Sequence, residues 1–134
     1  MSTQYLGKWG EDLAATHLIN HGYVVIQRNY RYDHAEIDLI VQGFGYLVFV
    51  EVRTRKGAVL IDPLSSVDKK KQRHLIRAAN YYALTHLIDE ALRFDVIGIS
   101  LLGTSVHLEH IEDAFLFFRN ICLICNIKLF LPKL

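Results

Sequence analysis

Residues 36–53, EIDLIVQGFGYLVFVEVR, decide the fold of this chain. The runs 36–42 and 46–54 are rich in β-branched and aromatic residues and have lengths typical of strands. The Gly-Phe-Gly sequence at 43–45 favours a tight turn between them, because glycine adopts backbone angles that turns require. The stretch therefore predicts a β-hairpin.

Charged side chains occupy one face of this hairpin. Successive side chains of a strand point to opposite faces, so Asp38 shares a face with Glu36, and Glu51 shares one with Arg53. The other face of the second strand in the hairpin is apolar and consists of Val48, Val50 and Val52. An apolar face predicts that another layer covers the sheet on that side.

The hairpin extends into a larger predicted sheet with a helix on either side of it in the sequence. Apolar residues at three- and four-residue spacing indicate a helix over residues 3–21, and residues 23–31 read as a strand. A second helix is expected over about 67–87, followed by strands at 91–102 and 105–111. The helical crossover between the third and fourth strands favours a parallel pairing there. We expect an α/β fold with a mixed five-stranded sheet flanked by helices.

Local signals mark the ends of the two helices. Ser2 or Thr3 can cap the first helix and Gly22 can end it, while Ser65 or Ser66 can cap the second. One face of the first helix has mostly small residues: Gly7, Glu11, Ala14 and Leu18. Small residues would let this helix approach the sheet closely, with Glu11 facing the sheet.

Basic residues are concentrated in the middle of the chain, although the formal net charge is only +1. Of the fifteen lysines and arginines, eight lie between Arg53 and Arg77: Arg53, Arg55, Lys56, Lys69, Lys70, Lys71, Arg73 and Arg77. Such a surface attracts phosphates without reading bases, but a solvated helix face is an equally open interpretation.

Three acids stand where packing alone would favour other residues: Glu11 in the first helix, Asp38 in the hairpin and Glu51 in its second strand. Ionised carboxylates are costly to bury alone. If the hairpin register brings Asp38 near Glu51, the three carboxylates can converge on one cleft and bind Mg²⁺ or Mn²⁺, which prefer oxygen ligands. The Arg53 guanidinium would then stabilise charge on a phosphate, although it is a poor general base because it stays protonated.

Each of these features also has a structural interpretation. Glu51 and Arg53 are spaced as a half-exposed salt bridge would be, and Glu36 is as well placed for a salt bridge to Arg28 or Arg31 as for metal binding. Asp95 is expected to have a structural role. His17 and His21 have i, i+4 spacing, but the nearby sequence completes no ligand set, so no metal is predicted there.

The segments GKWGEDLAATHLINHGYVVIQRNYR, AEIDLI, VFVEVRTR, RFDVIGI and IEDAF, in this order with a lysine-rich second helix between them, resemble the YraN family of predicted endonucleases. The resemblance covers about Gly7 to Phe115. It implies a restriction-endonuclease-like αβββαβ core of the PD-(D/E)xK superfamily and a metal-dependent phosphodiesterase site related to archaeal Holliday junction resolvases. It also implies that Asp38 and Glu51 bind the metal and that Glu11 is an additional acid.

Two positions depart from the superfamily pattern. Ile37 stands where the pattern has proline, and Arg53 stands where it has lysine. The arginine puts water activation by that side chain in doubt. Lys69 or Lys71 from the second helix is a candidate to supply the missing ammonium group.

The chain is expected to be a cytoplasmic protein with one domain over residues 1–116 and an apolar extension over 117–134. The N-terminus lacks the pattern of a signal peptide, and Cys122 and Cys125 lie too close together to staple distant parts of a secreted fold. The extension is too interrupted by polar residues for a membrane span. It can pack on the domain, form a homodimer or bind a protein partner.

The leading hypothesis is an endonuclease dependent on Mg²⁺ or Mn²⁺ that acts on DNA without sequence specificity, on branched or single-stranded intermediates of repair, recombination or DNA uptake. Two alternatives remain open at this point. One is a nuclease-fold module that binds nucleic acid without cutting it, and the other is an adaptor that docks a protein through residues 117–134.

Overall fold

The computed structural model describes residues 2–57 and 67–114. Helices and strands follow one another in the predicted order of helix, three strands, helix and two strands. They are α1 (Thr3–Asn20), β1 (Val24–Tyr32), β2 (Ala35–Gly43), β3 (Tyr46–Lys56), α2 (Lys69–Thr85), β4 (Ala91–Leu102) and β5 (Ser105–Ile111). The predicted α/β fold class is confirmed.

The five strands form one mixed sheet in the order β1-β2-β3-β4-β5. Only β3 and β4 run parallel, as the helical crossover between them predicts, and the other neighbours are antiparallel. Gly43 pairs with Tyr46 across a two-residue turn in which Phe44 and Gly45 both have positive φ angles. This is the backbone that a tight hairpin requires, so the predicted turn is confirmed.

One helix covers each face of the sheet, and each interface has its own apolar core. On one face, α2 packs on a core that includes Phe49, Phe94 and Ile76. On the other face, Leu18 and Ala14 of α1 pack on aliphatic side chains of the sheet. The valine face predicted for β3 belongs to this second core, where Val48 and Val50 are buried.

A glycine of α1 allows the close approach of this helix to the sheet, but it is Gly10 and not the predicted Gly7. A Cβ atom on Gly10 would lie 1.9 Å from Oγ1 of Thr54 on β3. A Cβ atom on Gly7 would meet nothing within 4 Å. The face of α1 that packs on the sheet therefore passes through Gly10, the residue before Glu11. Gly7 lies outside the contact between α1 and β3.

Helix α2 is shorter than expected and begins at a different cap. Asp68 is its N-cap, and the Asp68 side chain accepts a hydrogen bond of 2.8 Å from the backbone N–H of Lys71. The expected caps Ser65 and Ser66 lie outside the described residues. Helix α1 begins as predicted, with Ser2 as N-cap, and Gly22 just beyond its end has a φ angle of 96°.

Several expectations fall on parts of the chain that the structure does not describe. These are the loop within 58–66 and the extension over 117–134 with Cys122 and Cys125. In the described ranges, no helix is long and apolar enough to cross a membrane.

Candidate active site

The candidate site opens where β2 and β3 stop pairing. The pairing of these strands runs from Gly43↔Tyr46 to Leu39↔Val50, whereas β2 continues to pair with β1 as far as Ala35. Beyond Leu39, the backbone N–H of Val52 donates a hydrogen bond of 2.8 Å to Oδ2 of Asp38. A side chain thus replaces the backbone ladder, and the end of β3 is left beside an opening.

A cavity of about 590 Å³ occupies this opening, between the strand ends and the first turns of α2. Asp38 and Glu51 both line it, so the hairpin register brings together the two acids singled out in the sequence. Basic and imidazole side chains line the rest of the wall together with two further acids and small or apolar groups: Arg53, Lys70, Lys71, His34, His74, Glu36, Asp68, Ala35, Val52 and Leu75.

Asp38 has an unusual protonation equilibrium because of where it lies. Burial and then the negative charge of Glu51 raise the pKa of Asp38 to about 8, with a smaller contribution from Glu11. The hydrogen bond from Val52 opposes this shift but does not cancel it. A carboxyl group so close to a second carboxylate gains from any cation that enters the cavity.

Glu51 is almost fully buried, with 4% of its surface exposed, and two cations neutralise it. Nζ of Lys71 lies 2.6 Å from Oε2 of Glu51, and Nε of Arg53 lies 2.9 Å from the same oxygen. The salt bridge that the Glu51–Arg53 spacing suggested is therefore present. Of the two helix lysines considered from the sequence, Lys71 is the one whose ammonium group contacts Glu51.

Glu11 lies next to this cavity but does not line it. Its Oε1 accepts a hydrogen bond of 3.0 Å from Nδ2 of Asn29, and it lines a neighbouring cavity beside the N-terminal half of α1. The expectation that three carboxylates share one cleft is thus met only by Asp38 and Glu51. The bond to Asn29 on β1 accounts for the position of Glu11, whose charge still acts on Asp38.

The predicted nucleic-acid-binding residues differ in how close they lie to the cavity. Lys70 and Lys71 line the cavity, whereas the other members are exposed and extend the positive charge along α2 and the end of β3: Lys69, Arg73, Arg77, Arg55 and Lys56. Arg77 lies 3.8 Å from a carboxylate oxygen of Asp33, and both side chains are well exposed.

Two histidines of the cavity wall were not predicted. His34, in the turn before β2, and His74, on α2, have ring centroids 5.7 Å apart. His74 follows Lys71 by three residues, which places both on one face of the helix. This spacing could have indicated from the sequence that His74 lines the same cavity as Lys71. Glu36 forms an ion pair of 2.6 Å with Arg31, which was one of its two predicted salt-bridge partners.

A metal ion in this cavity would have two carboxylates as its protein ligands, Asp38 and Glu51. Within residues 2–57 and 67–114, no three His, Cys, Asp or Glu side chains form a group that could hold a metal ion. Mg²⁺ commonly binds through one or two carboxylates and completes its shell with water and substrate phosphate. Asp38 and Glu51 fit that requirement, and burial and then the negative charge of Glu51, which raise the pKa of Asp38, would both be offset by a bound cation.

Fold and site together define a mixed α/β sheet protein with a two-carboxylate cavity beside a basic helix. The chain belongs to the family described as uncharacterised protein family UPF0102, whose model matches residues 10–99. The matched range includes Glu11, Asp38, Glu51 and Lys71.

Similar proteins occur in several bacteria, and each carries the name UPF0102 protein. The relative from Chlorobium chlorochromatii (strain CaD3) is 45% identical over 120 residues, covering 85% of this chain and 93% of the relative. The relative from Flavobacterium johnsoniae is 41% identical over 117 residues, covering 84% and 95%. The relative from Parabacteroides distasonis is 38% identical over 110 residues, covering 82% and 91%.

Proposed function

We propose that this protein is a metal-dependent endonuclease that hydrolyses phosphodiester bonds in DNA. The observation that carries the proposal is the placement of Asp38 and Glu51 in one open cavity whose walls also carry Lys71 and Arg53. Metal-dependent hydrolysis of a phosphodiester uses acidic groups to hold a divalent cation and positive groups to bind the phosphate, and this cavity has side chains of both kinds. The resemblance to the YraN family of predicted endonucleases supports the same assignment.

Asp38 and Glu51 would hold the cation, which is Mg²⁺ or Mn²⁺ because both ligands are hard carboxylate oxygens. When bound, such an ion polarises the phosphate and makes water a stronger nucleophile. Binding would also favour the ionised form of Asp38, because a positive charge would offset burial and the negative charge of Glu51, which together raise its pKa.

Lys71 and Arg53 would bind the scissile phosphate. The Lys71 and Arg53 side chains both contact Glu51. A phosphate bound to a metal ion at Glu51 would therefore have its oxygens close to these two positive groups. Their positive charge would stabilise the charge that develops on the phosphate in the transition state. Lys71 takes the place of the lysine that the superfamily pattern has at position 53, since an ammonium from α2 reaches the same carboxylate.

The exposed basic residues of α2 would hold the DNA backbone across the cavity. Lys69, Lys70 and Arg73 are exposed on the first turns of α2 and adjoin the cavity wall. Contacts of this kind bind phosphates without reading bases, so the proposed substrate is defined by DNA structure and not by sequence.

A second candidate function is DNA binding without cleavage. It is favoured by the two ion pairs of Glu51, since a carboxylate neutralised by Lys71 and Arg53 is less available to a cation. This candidate predicts salt-sensitive DNA binding that is the same in EDTA and in Mn²⁺.

The experiment that tests the proposal is a cleavage panel. Linear duplex, single-stranded, flapped and four-way DNA would be incubated with the protein in Mg²⁺, in Mn²⁺ and in EDTA, with Glu51→Ala as the control. Cleavage of at least one substrate that needs the metal and Glu51 is expected. No cleavage of any substrate, with binding retained, would favour the second candidate.

A further inference from the structure

A second group of polar side chains lies on the opposite face of the sheet from the cavity. It is centred on Asp95 of β4, which is fully buried. Arg93 donates two hydrogen bonds of 2.9 Å to the two carboxylate oxygens of Asp95, and the backbone N–H of Asp113 donates a third of 3.1 Å. The structural role predicted for Asp95 is thus supported, but the group continues beyond it.

A chain of two imidazoles leads from Asp95 to helix α1. Nε2 of His110 lies 2.7 Å from Oδ2 of Asp95, and Nδ1 of His110 lies 3.1 Å from Nε2 of His17. His110 is on the edge strand β5 and His17 is in the last turn of α1. The polar ties of α1 to the opposite edge strand, β1, are the bonds of Asp12 to Arg28 and of Glu11 to Asn29. Helix α1 is therefore tied to both edges of the sheet.

The number of protons on the two imidazoles determines whether the hydrogen bond between His17 and His110 can form. Asp95 is ionised, because the hydrogen bonds from His110 and Arg93 outweigh the effect of burial and hold its pKa below the ordinary value. An ionised carboxylate only accepts, so Nε2 of His110 carries a proton. The gap between His110 and His17 then holds one proton when both rings are neutral and His17 is the Nε2–H tautomer, and also one when His110 alone is charged and His17 is the Nδ1–H tautomer.

A second added proton breaks the hydrogen bond between His17 and His110. With both imidazoles charged, Nδ1 of His110 and Nε2 of His17 each carry a hydrogen, and two donors face each other across 3.1 Å. The hydrogen bond is lost and two like charges remain in contact. The bond thus survives at a charge of zero or one on the imidazole pair and fails at two.

Charged and titratable groups from every adjoining element face this pair. The dipole of α1 favours a cation in its last turn, but burial, and then the neighbouring His21 and His110, lower the pKa of His17 from its ordinary value of 6.5. The surrounding groups are His21 on α1, Tyr23 before β1, Arg93 and Asp95 on β4, and Glu112 and Asp113 after β5. The acids of this set, Asp95, Glu112 and Asp113, outnumber its one arginine, Arg93, so the loss of the bond at two charges follows from the two facing donors and not from the surrounding charge.

We propose that the His17–His110 hydrogen bond is a proton-sensitive latch, which holds the last turn of α1 on β5 near neutral pH and releases it in mild acid. This proposal rests on the contact between α1 and β5 and does not depend on whether the protein cleaves DNA at the cavity on the other face of the sheet. Release in acid follows in sign from linkage: the released state binds more protons than the latched state, so the latched state gains stability as the pH rises.

Amide hydrogen exchange of residues 18–21 at pH 7.5 and pH 5.5, corrected for intrinsic rates, tests the latch. In the wild type we expect protection of this last turn to fall in acid, by up to about tenfold per pH unit below the titration of the pair. His17→Gln keeps a side-chain donor in place but does not titrate, so its protection should change less with pH. His107→Gln, an exposed histidine of the same strand β5, is the matched control and should behave as the wild type.

Two results would overturn the proposal: unchanged wild-type protection between the two pH values, or an equal loss in His17→Gln. The ¹⁵N shifts of the imidazole nitrogens in the unmodified protein give a measurement that does not depend on any variant folding. We expect the shifts of both rings to respond to each of two protonation steps, because the rings share one hydrogen bond. A ring whose shifts respond to only one step would contradict the latch.

Discussion

The Nζ atom of Lys71 lies 2.6 Å from Oε2 of Glu51, which joins the first turn of α2 to the end of β3. This relationship sets an ammonium group, a guanidinium group and a buried carboxylate on one wall of the cavity, with Asp38 beside them. Asp68 contributes to it, because its N-cap bond to the backbone of Lys71 fixes where the helix begins.

The position of Lys71 predicts that its removal affects catalysis more than the removal of a neighbouring lysine. Lys71→Ala should lower kcat/KM by about 10²–10³, the usual effect of removing one group that stabilises transition-state charge. Lys69→Ala removes an equal charge from the exposed start of α2 and is the matched control. Its effect should appear in DNA affinity and salt dependence, and equal losses of kcat/KM in the two variants would contradict the role of Lys71.

The two carboxylates predict a metal effect on stability that can be read without any substrate. Mg²⁺ or Mn²⁺ should raise the unfolding temperature of the wild type, because a ligand that binds only the folded state stabilises it by about 2.7 kcal/mol at a hundred times its dissociation constant. Removal of the ion with EDTA should reverse the shift. Asp38→Asn and Glu51→Gln should show little or no shift, whereas Glu36→Gln, whose charge lies in an ion pair with Arg31, should keep it.

The raised pKa of Asp38 predicts a stability that falls with rising pH when no metal is present. Between the ordinary value of 3.8 and the folded value of about 8, the folded protein holds a proton on Asp38 that the unfolded chain has lost. The stabilisation from this group is therefore complete below pH 3.8 and is lost as the pH rises through about 8, by up to about 1.4 kcal/mol per pH unit.

Urea denaturation in EDTA at several pH values between 5 and 8 measures this effect. Other titrating groups contribute to the wild-type curve, so the relevant quantity is the difference in the free energy of unfolding between the wild type and Asp38→Asn. The difference should move in favour of Asp38→Asn as the pH rises. Parallel curves would show that Asp38 has an ordinary pKa.

The contact between α1 and β3 predicts opposite effects for two glycine substitutions in the same helix. Gly7→Ala adds a methyl group in open space and should stabilise the protein by up to about 1 kcal/mol, because alanine has the higher helix propensity. Gly10→Ala forces the methyl group against Thr54 and should destabilise it, since overpacking costs about 1–3 kcal/mol. Chemical denaturation of both variants checks the signs, and an equally stabilised Gly10→Ala would contradict the close approach.

The sequence predicted those features that depend on local periodicity. Alternation along β2 and β3 and the turn at Phe44 and Gly45 determine the hairpin register, and that register brings Asp38 and Glu51 to one cavity. The parallel pairing of β3 with β4 followed from the length of the helical connection.

Features that depend on packing between distant segments could not be read in this way. Gly10, and not Gly7, makes the close approach because the rotation of α1 is set by its buried residues Leu6, Ala14 and Leu18. His17 and His110 are 93 positions apart, and nothing local to either indicates the other. Glu11 was expected to share the cleft of Asp38 and Glu51, but it bonds to Asn29 and lines a neighbouring cavity, and its position depends on this contact between α1 and β1.

Single-turnover cleavage of labelled DNA in Mn²⁺ by the wild type, Asp38→Asn and Glu51→Gln is the most direct measurement of the proposed activity, with DNA binding measured for the same three proteins. We expect both variants to bind DNA at least as well as the wild type and to cleave it at least about 100-fold more slowly. Cleavage by either variant at the wild-type rate would contradict the assignment of the cavity as the active site.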